Sequence, residues 1–237
     1  MKILITNDDS VSAPQLLPLI KKCMEFAEVT VVVPKFEQSA KSHSIQIRDA
    51  FEIRQVELEP GISAWVVDST PADCVRFAVS GLKMTFDLVI SGINRGYNLG
   101  KDTMYSGTLA AATEAVCKGM KAIALSSSMK YYDRAVEHVE EILAFFRENR
   151  LLEQNALYNV NIPLEPRGFR FTRLGDESFS EEFVSVGENL YFPGGKPIRA
   201  DGSDITRDTD ACALGYISVT PMTTDRTNLE IFQKLQF

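Results

Sequence analysis

Asp8 and Asp9 are adjacent and follow directly on the apolar run Ile3-Leu4-Ile5, inside the segment Thr6-Asn7-Asp8-Asp9-Ser10. Two neighbouring carboxylates repel, and the pair becomes favourable only when a cation or protons compensate the charge. Oxygen donors of this hardness suit Mg²⁺ or Mn²⁺ rather than softer metals. An Asp pair in a loop serves turn and capping chemistry equally well, so the pair alone leaves both readings open. Further along, Ser91 to Asp102 carries Gly92, Gly96 and Gly100 with Asn94 and Asn98 between them. Such glycines let the backbone approach a ligand, and the amides can meet a metal or a phosphate without adding negative charge. Tyr105-Ser106-Gly107-Thr108 then opens a run of alanines and leucine. This places hydroxyls and free N–H groups at the positive end of a helix, which is an anion site. A plain Ser N-cap accounts for Ser106 but not for Gly107 and Thr108. A fourth polar loop, Lys35 to Ser44, holds Ser39, Ser42, Ser44 and His43. By itself it says no more than that a surface loop is present. Acid ligands, neutral ligands and an oxyanion cradle are together what phosphoryl transfer uses.

Four loops can cooperate only if a scaffold brings them to one edge. Strand patterns occur at Lys2 to Thr6, Val29 to Val33, Trp65 to Asp68, Leu88 to Ser91 and Ala122 to Ser126. Several are apolar at consecutive positions, as a parallel sheet covered on both faces requires. Helix patterns alternate with them at Gln15 to Phe26, Ala72 to Ser80, Gly107 to Lys118 and Asp133 to Asn149, with Gly119 placed to close the third. In the last of these Val136, Val139, Ile142, Leu143 and Phe146 make a stripe one face wide that reads as core packing. The alternation predicts an α/β, doubly wound, mostly parallel Rossmann-like sheet, and in such sheets ligands collect at the carboxyl ends of the strands. Ala156 to Asn161 and Tyr216 to Thr220 add strands. Residues 179–209 predict a protruding β-hairpin arm centred on Pro193-Gly194-Gly195, and 223–237 a C-terminal tail. The chain 1–237 reads as one domain with these extensions.

At 237 residues the chain can bury a sizeable core without staples. Its net charge of -7 disfavours a duplex nucleic-acid partner. Cys23, Cys74, Cys117 and Cys212 are too scattered for a zinc or redox motif and read as small buried hydrophobes. No secretory leader or membrane span is legible, and a cytoplasmic address is the expectation.

The segments ILITNDDS, STPADCV, SGINRGYNLGKDTMYSGTLAA, YNVNIP and DTDACALGYISVTPM resemble the SurE family, the stationary-phase survival proteins that act as nucleotidases. The resemblance runs over most of the chain, and the long middle segment is its most specific part. It implies one divalent metal ion per subunit, Mg²⁺ or Mn²⁺, held by Asp8, Asp9, Ser39 and Asn94, with Asp8 and Asp9 also catalytic. It places phosphate near Asn98 and the Ser106-Gly107-Thr108 turn. It implies hydrolysis of nucleoside 5′-monophosphates to nucleoside and phosphate, leaves open whether 3′-nucleotides and short polyphosphate are also cleaved, and implies homodimers or homotetramers built through exchanged C-terminal segments. Four positions depart from the family pattern: Ala40 and Ala110 stand where Gly is usual, Ser69 replaces a usual Gly, and Lys101 stands where an acid is common.

Two other classes meet the residues less well. A non-catalytic nucleotide- or phosphate-binding regulator of the receiver type needs a further Asp after its third strand and a Lys near its fifth, and haloacid-dehalogenase phosphatases need Asp-x-Asp. Exchange between subunits is expected of the arm and tail, because Tyr191, Phe192, Ile231, Phe232, Leu235 and Phe237 are apolar groups in segments unable to bury them alone.

Overall fold

The computed structural model describes residues 1–176, 179–198 and 200–236. In strand β1 (Lys2–Thr6), Ile3 and Ile5 enter one hydrophobic cluster while Leu4 enters another. Both faces of the strand are therefore covered, and its unbroken apolar run follows from that. Helix α1 (Leu16–Met24) packs Leu16, Leu19, Ile20 and Cys23 into the first cluster. Strand β2 (Glu28–Pro34) pairs in parallel with β1, and an antiparallel pair follows, β3 (Ile53–Glu59) and β4 (Ile62–Val67). Helix α2 (Pro71–Arg76), started by the Thr70 side chain and a proline, covers the second face. Strand β5 (Leu88–Arg95), helix α3 (Gly107–Cys117) and strand β6 (Ala122–Ser127) extend the sheet on the other side of β1. Helices α4 (Val139–Glu148) and α5 (Leu151–Gln154) lead to β7 (Leu157–Ile162).

The remaining elements are β8 (Phe169–Phe171), the hairpin of β9 (Glu182–Gly187) and β10 (Leu190–Gly194), helix α6 (Asp208–Ala213), strand β11 (Ile217–Met222) and helix α7 (Leu229–Lys234). Among the described residues the large sheet has nine strands in the order β3-β4-β2-β1-β5-β6-β7-β11-β8, with β4 to β7 along that order all parallel. The chain runs outward from β1 through β2, then returns to lay β5 on its other side. The order thus reverses at β1 and β5, which opens a crevice at their carboxyl ends. Leu4 is fully buried there, and its truncation to Ala would cost about 2 to 5 kcal/mol. Among the described residues no helix is long and apolar enough to cross a membrane.

The α/β sheet and the C-terminal hairpin are as expected, and several local features differ. Strand β3 is absent from the expectation because Arg54, Gln55, Glu57 and Glu59 interrupt its apolar positions, as an exposed edge strand permits. The helix expected from Asp133 begins as a 3₁₀ turn over Tyr132–His138. The hairpin turns at Glu188-Asn189, with Asn189 at φ 57°, rather than at Pro193-Gly194-Gly195. Pro193 and Gly194 lie within β10, where a two-stranded ribbon leaves an edge free for proline. Thr209 belongs to α6, and the tail contains a helix capped by the Asn228 side chain. Cys117 is exposed at the end of α3, unlike the three other cysteines. Arg199 of the expected arm and Phe237 of the expected tail lie outside the described residues. The other apolar groups named for exchange, Tyr191, Phe192, Ile231, Phe232 and Leu235, are all exposed.

Candidate active site

Asp8 and Asp9 follow β1 directly and lie at the crevice. Asp8 is only 5% exposed, and its Oδ1 accepts a 2.6 Å hydrogen bond from the Thr108 hydroxyl at the start of α3. Ser106 caps the same helix by accepting from the Leu109 N–H at 3.1 Å. Burial, with the charge of Asp9 adding to it, pushes the Asp8 carboxyl up to about 6 against the pull of the Thr108 hydroxyl. Burial also raises Asp9, with Glu37 adding, although its Oδ2 accepts the Arg95 N–H at 3.0 Å. That bond ties the end of β1 to the end of β5.

Glycines set how closely the loops approach. A Cβ on Gly107 would lie 2.9 Å from Asp8 Oδ2 and 3.2 Å from the Gln38 carbonyl oxygen, so the helix start, the acid pair and the loop after β2 meet at one point. The Gln38 N–H donates to the Asp8 carbonyl at 2.8 Å from the other side. At Gly92, φ is 137° and a Cβ would strike the Leu125 carbonyl oxygen at 2.2 Å. The register of β5 against β6 slips there, between Ser91 and Asn94, and the irregularity re-aims Asn94.

The expected ligands are brought together unequally. Asn94 donates Nδ2 to the Gly96 carbonyl at 2.9 Å, which orients the amide and makes Oδ1 the atom that would meet an ion. Ser39 is exposed, and its hydroxyl donates to Glu37 Oε1 at 2.6 Å. Its lone pairs remain for a ligand. Asn98 is buried, and its Nδ2 donates to the Ser126 hydroxyl at 2.8 Å and more loosely to Thr108 Oγ1 at 3.4 Å. Among the described residues no group of three or more His, Cys, Asp or Glu side chains is placed to hold a metal ion. An ion here would take two carboxylates and neutral oxygens, a hard donor set that fits Mg²⁺ or Mn²⁺. The raised Asp8 fits the same ion, since a buried carboxylate beside a second one lacks a countercharge.

Three groups escape the sequence reading. Asn159 and Asn161 of β7, both fully buried, donate to the Asn98 carbonyl at 2.8 and 3.0 Å, and Asn161 Oδ1 accepts the Asn98 N–H at 2.9 Å. Two asparagines at a spacing of two in an otherwise apolar strand were the available signal. Tyr132 is buried, with the Asp9 charge bearing on a phenol whose ionisation is pushed up to about 12, by burial first. The Gln15 backbone acts on the same phenol in the opposite sense.

The later motifs are braces. Asp208, fully buried, accepts the N–H groups of Gly100, Gly175 and Thr209 at 3.0, 2.7 and 2.8 Å. Asp73 accepts the Ser69 hydroxyl at 2.7 Å and the Gln46 N–H at 2.8 Å, so the serine that replaces glycine adds a bond. Ala40 is held at φ 56°, a left-handed conformation that glycine adopts without strain. Lys101 lies 3.8 Å from Asp176, and Ala110 is buried inside α3, where it suits the helix better than glycine.

The family model described as Survival protein SurE matches residues 3–181. The chain belongs to the SurE family. Its relatives include the 5′-nucleotidase SurE of Desulforudis audaxviator, 36% identical over all of this chain and 96% of the relative, and that of Thermosipho melanesiensis, 37% identical over the same shares. The crystal structure of the Sure protein from Aquifex aeolicus superposes with a TM-score of 0.83 at 27% identity, covering 100% of this chain and 98% of that one. This SurE chain therefore shares both sequence and architecture with its relatives along its whole length.

Proposed function

We propose that this SurE protein is a metal-dependent phosphomonoesterase that hydrolyses nucleoside 5′-monophosphates to nucleoside and phosphate. The observation that carries the reading is the bond from Thr108 to Asp8: it joins the acid pair, buried at Asp8 and half-buried at Asp9, to the amino end of α3, which supports cation ligands and phosphate contacts sharing one site. The names of the relatives, 5′-nucleotidase SurE, support nucleotides as the substrate class. One divalent ion per subunit would be held by Asp8, Asp9, Ser39 and Asn94. Bound there, it supplies positive charge opposite the phosphate oxygens.

The chain's own residues do the rest. At the α3 start the Ser106 N–H is given to the Thr103 carbonyl and the Leu109 N–H to the Ser106 hydroxyl, so phosphate oxygens would be received by the Gly107 N–H and the Ser106 hydroxyl, with Thr108 alongside. Asn98 adds its Nδ2, whose 3.4 Å bond to Thr108 is the one a phosphate oxygen can replace. A water oxygen attacks phosphorus as the bond to the nucleoside oxygen breaks; Asp9, the more open carboxylate, orients that water and takes its proton, and the departing nucleoside oxygen takes up a proton from solvent to leave as a hydroxyl. Asp8 is less suited to attack phosphorus itself, because it is nearly fully buried, with Oδ1 engaged by Thr108 and Oδ2 close against Gly107.

A second copy of the chain is the partner that the exposed apolar groups of arm and tail call for, as a dimer or tetramer. The deciding experiment is phosphate release from 5′- and 3′-nucleotides and short polyphosphate with Mg²⁺, Mn²⁺ or chelator, repeated on Asp9→Asn. Metal-stimulated release from 5′-monophosphates, lost in the variant, is expected. Nucleotide binding without release under every metal would replace the enzyme by a regulatory binding protein.

A further inference from the structure

Four large apolar side chains stand more than half exposed on loops at the carboxyl ends of the central strands: Phe36 at 60%, Met104 at 67%, Tyr105 at 57% and Met129 at 63%. Single exposed apolar groups need no explanation, but four on loops adjoining Ser39, the Asn94 turn and the start of α3 do. Phe36 follows β2, three residues before Ser39, and Lys35 Nζ lies 5.1 Å over its ring. Met104 and Tyr105 end the turn before α3. Their carbonyls accept the Ser42 hydroxyl at 2.8 Å and the Ser42 N–H at 3.0 Å, so the loops after β2 and β5 form one continuous rim. Met129 follows β6 and flanks the Asn94 turn, since a Cβ on Gly96 would lie 3.8 Å from Met129 Cγ. Tyr105 immediately precedes the N-cap Ser106, and its exposed ring stands one residue from the anion-binding end of α3.

We propose that this rim is a nucleobase platform on which Tyr105 and Phe36 offer ring faces to the base of a nucleotide whose phosphate lies at the start of α3. The proposal rests on the nucleotidase reading and deepens it by assigning the part of the substrate that carries no reacting bond. Aromatic rings stack on any base through its π-face, and the contact is worth roughly one to two powers of ten in binding. The thioethers of Met104 and Met129 are soft, adaptable flanks for such a ring. The rim rewards the presence of a base, not the breaking of the phosphoester bond.

The test compares adenosine 5′-monophosphate with ribose 5-phosphate, which has the same reacting group and no base. The readout is the ratio of their kcat/KM values in wild type, Tyr105→Ala, Tyr105→Phe and Phe36→Ala. The ratio is expected to fall about 10-fold in Tyr105→Ala, mainly through KM, to fall in Phe36→Ala, and to be kept in Tyr105→Phe. A ratio unchanged in both alanine variants would overturn the platform while leaving the nucleotidase reading intact. So would an equal loss on both substrates, or a drop in oligomer mass in Phe36→Ala showing that the rim is covered by a second copy. A wild type that cleaves neither substrate would remove the nucleotidase reading, and the platform with it.

Discussion

Replacing Asp8 by Asn should make the metal-free protein more stable, although it removes a proposed metal ligand. The carboxyl rises from an ordinary 3.8 to about 6 on folding. At about 1.4 kcal/mol per pH unit, that rise corresponds to about 3 kcal/mol. The sign follows from which state holds the proton. Below pH 3.8 folded and unfolded chains are both protonated at Asp8, and nothing is lost. Between 3.8 and 6 the unfolded chain gives up its proton first, so wild-type stability falls as pH rises and levels off above 6. The amide in Asp8→Asn cannot ionise, and its oxygen can still accept the Thr108 hydroxyl. In chelator at about pH 8 the variant is therefore expected to exceed wild type by up to about 3 kcal/mol, or about 6 to 12 °C in Tm, with the gap closing by about pH 4. Adding Mn²⁺ should raise the wild type and leave the variant where it was. Thermal unfolding of both proteins from about pH 4 to about pH 8, with and without chelator, measures this. A variant that is less stable than wild type at the alkaline end in chelator, or a gap independent of pH, would refute the reasoning.

Gly107→Ala should leave the fold intact but lower kcat about 100-fold, because a Cβ 2.9 Å from Asp8 Oδ2 must push the carboxylate aside; phosphate release and circular dichroism together check this. Ala40→Gly should raise stability by about 0.5 kcal/mol, the strain at φ 56° relieved being partly offset by a freer unfolded chain, and a denaturant midpoint shows it. Asn161→Ala should cost about 2 to 4 kcal/mol, since it leaves the buried Asn98 backbone without two of its bonds, and should lower kcat as Asn98 loosens its hold on Thr108; denaturation and single-turnover release separate the two effects.

The central sheet was legible because Ile3, Leu4 and Ile5 must satisfy two faces at once, and only a covered parallel strand asks that of consecutive residues. Strand β3 was not, because an edge strand tolerates the charges of Arg54 and Glu57 and loses its period. The hairpin is legible but not its turn: Pro193-Gly194-Gly195 is the stronger local breaker, yet pairing places the bend at Asn189. In the site, Asp8 and Asp9 stand out because they come just after a strand whose end can be located, Asn94 because it sits among glycines at the end of β5, and the Ser106 turn because it opens a helix. Tyr132 does not, since an aromatic residue beside a helical stretch reads as core, and only packing of its turn against β5 brings it to Asp9. Asn98 reads from sequence as a phosphate contact; its four bonds to Ser126, Asn159 and Asn161 make it a hub of the pocket wall as well.

The account depends most on the acid pair being a cation site, and electron paramagnetic resonance of Mn²⁺ titrated into metal-free protein tests that directly. One Mn²⁺ per chain is expected, displaced by Mg²⁺ and absent from Asp8→Asn and Asp9→Asn. Free-ion spectra at every stoichiometry in the wild type, or unaltered binding in both variants, would contradict it.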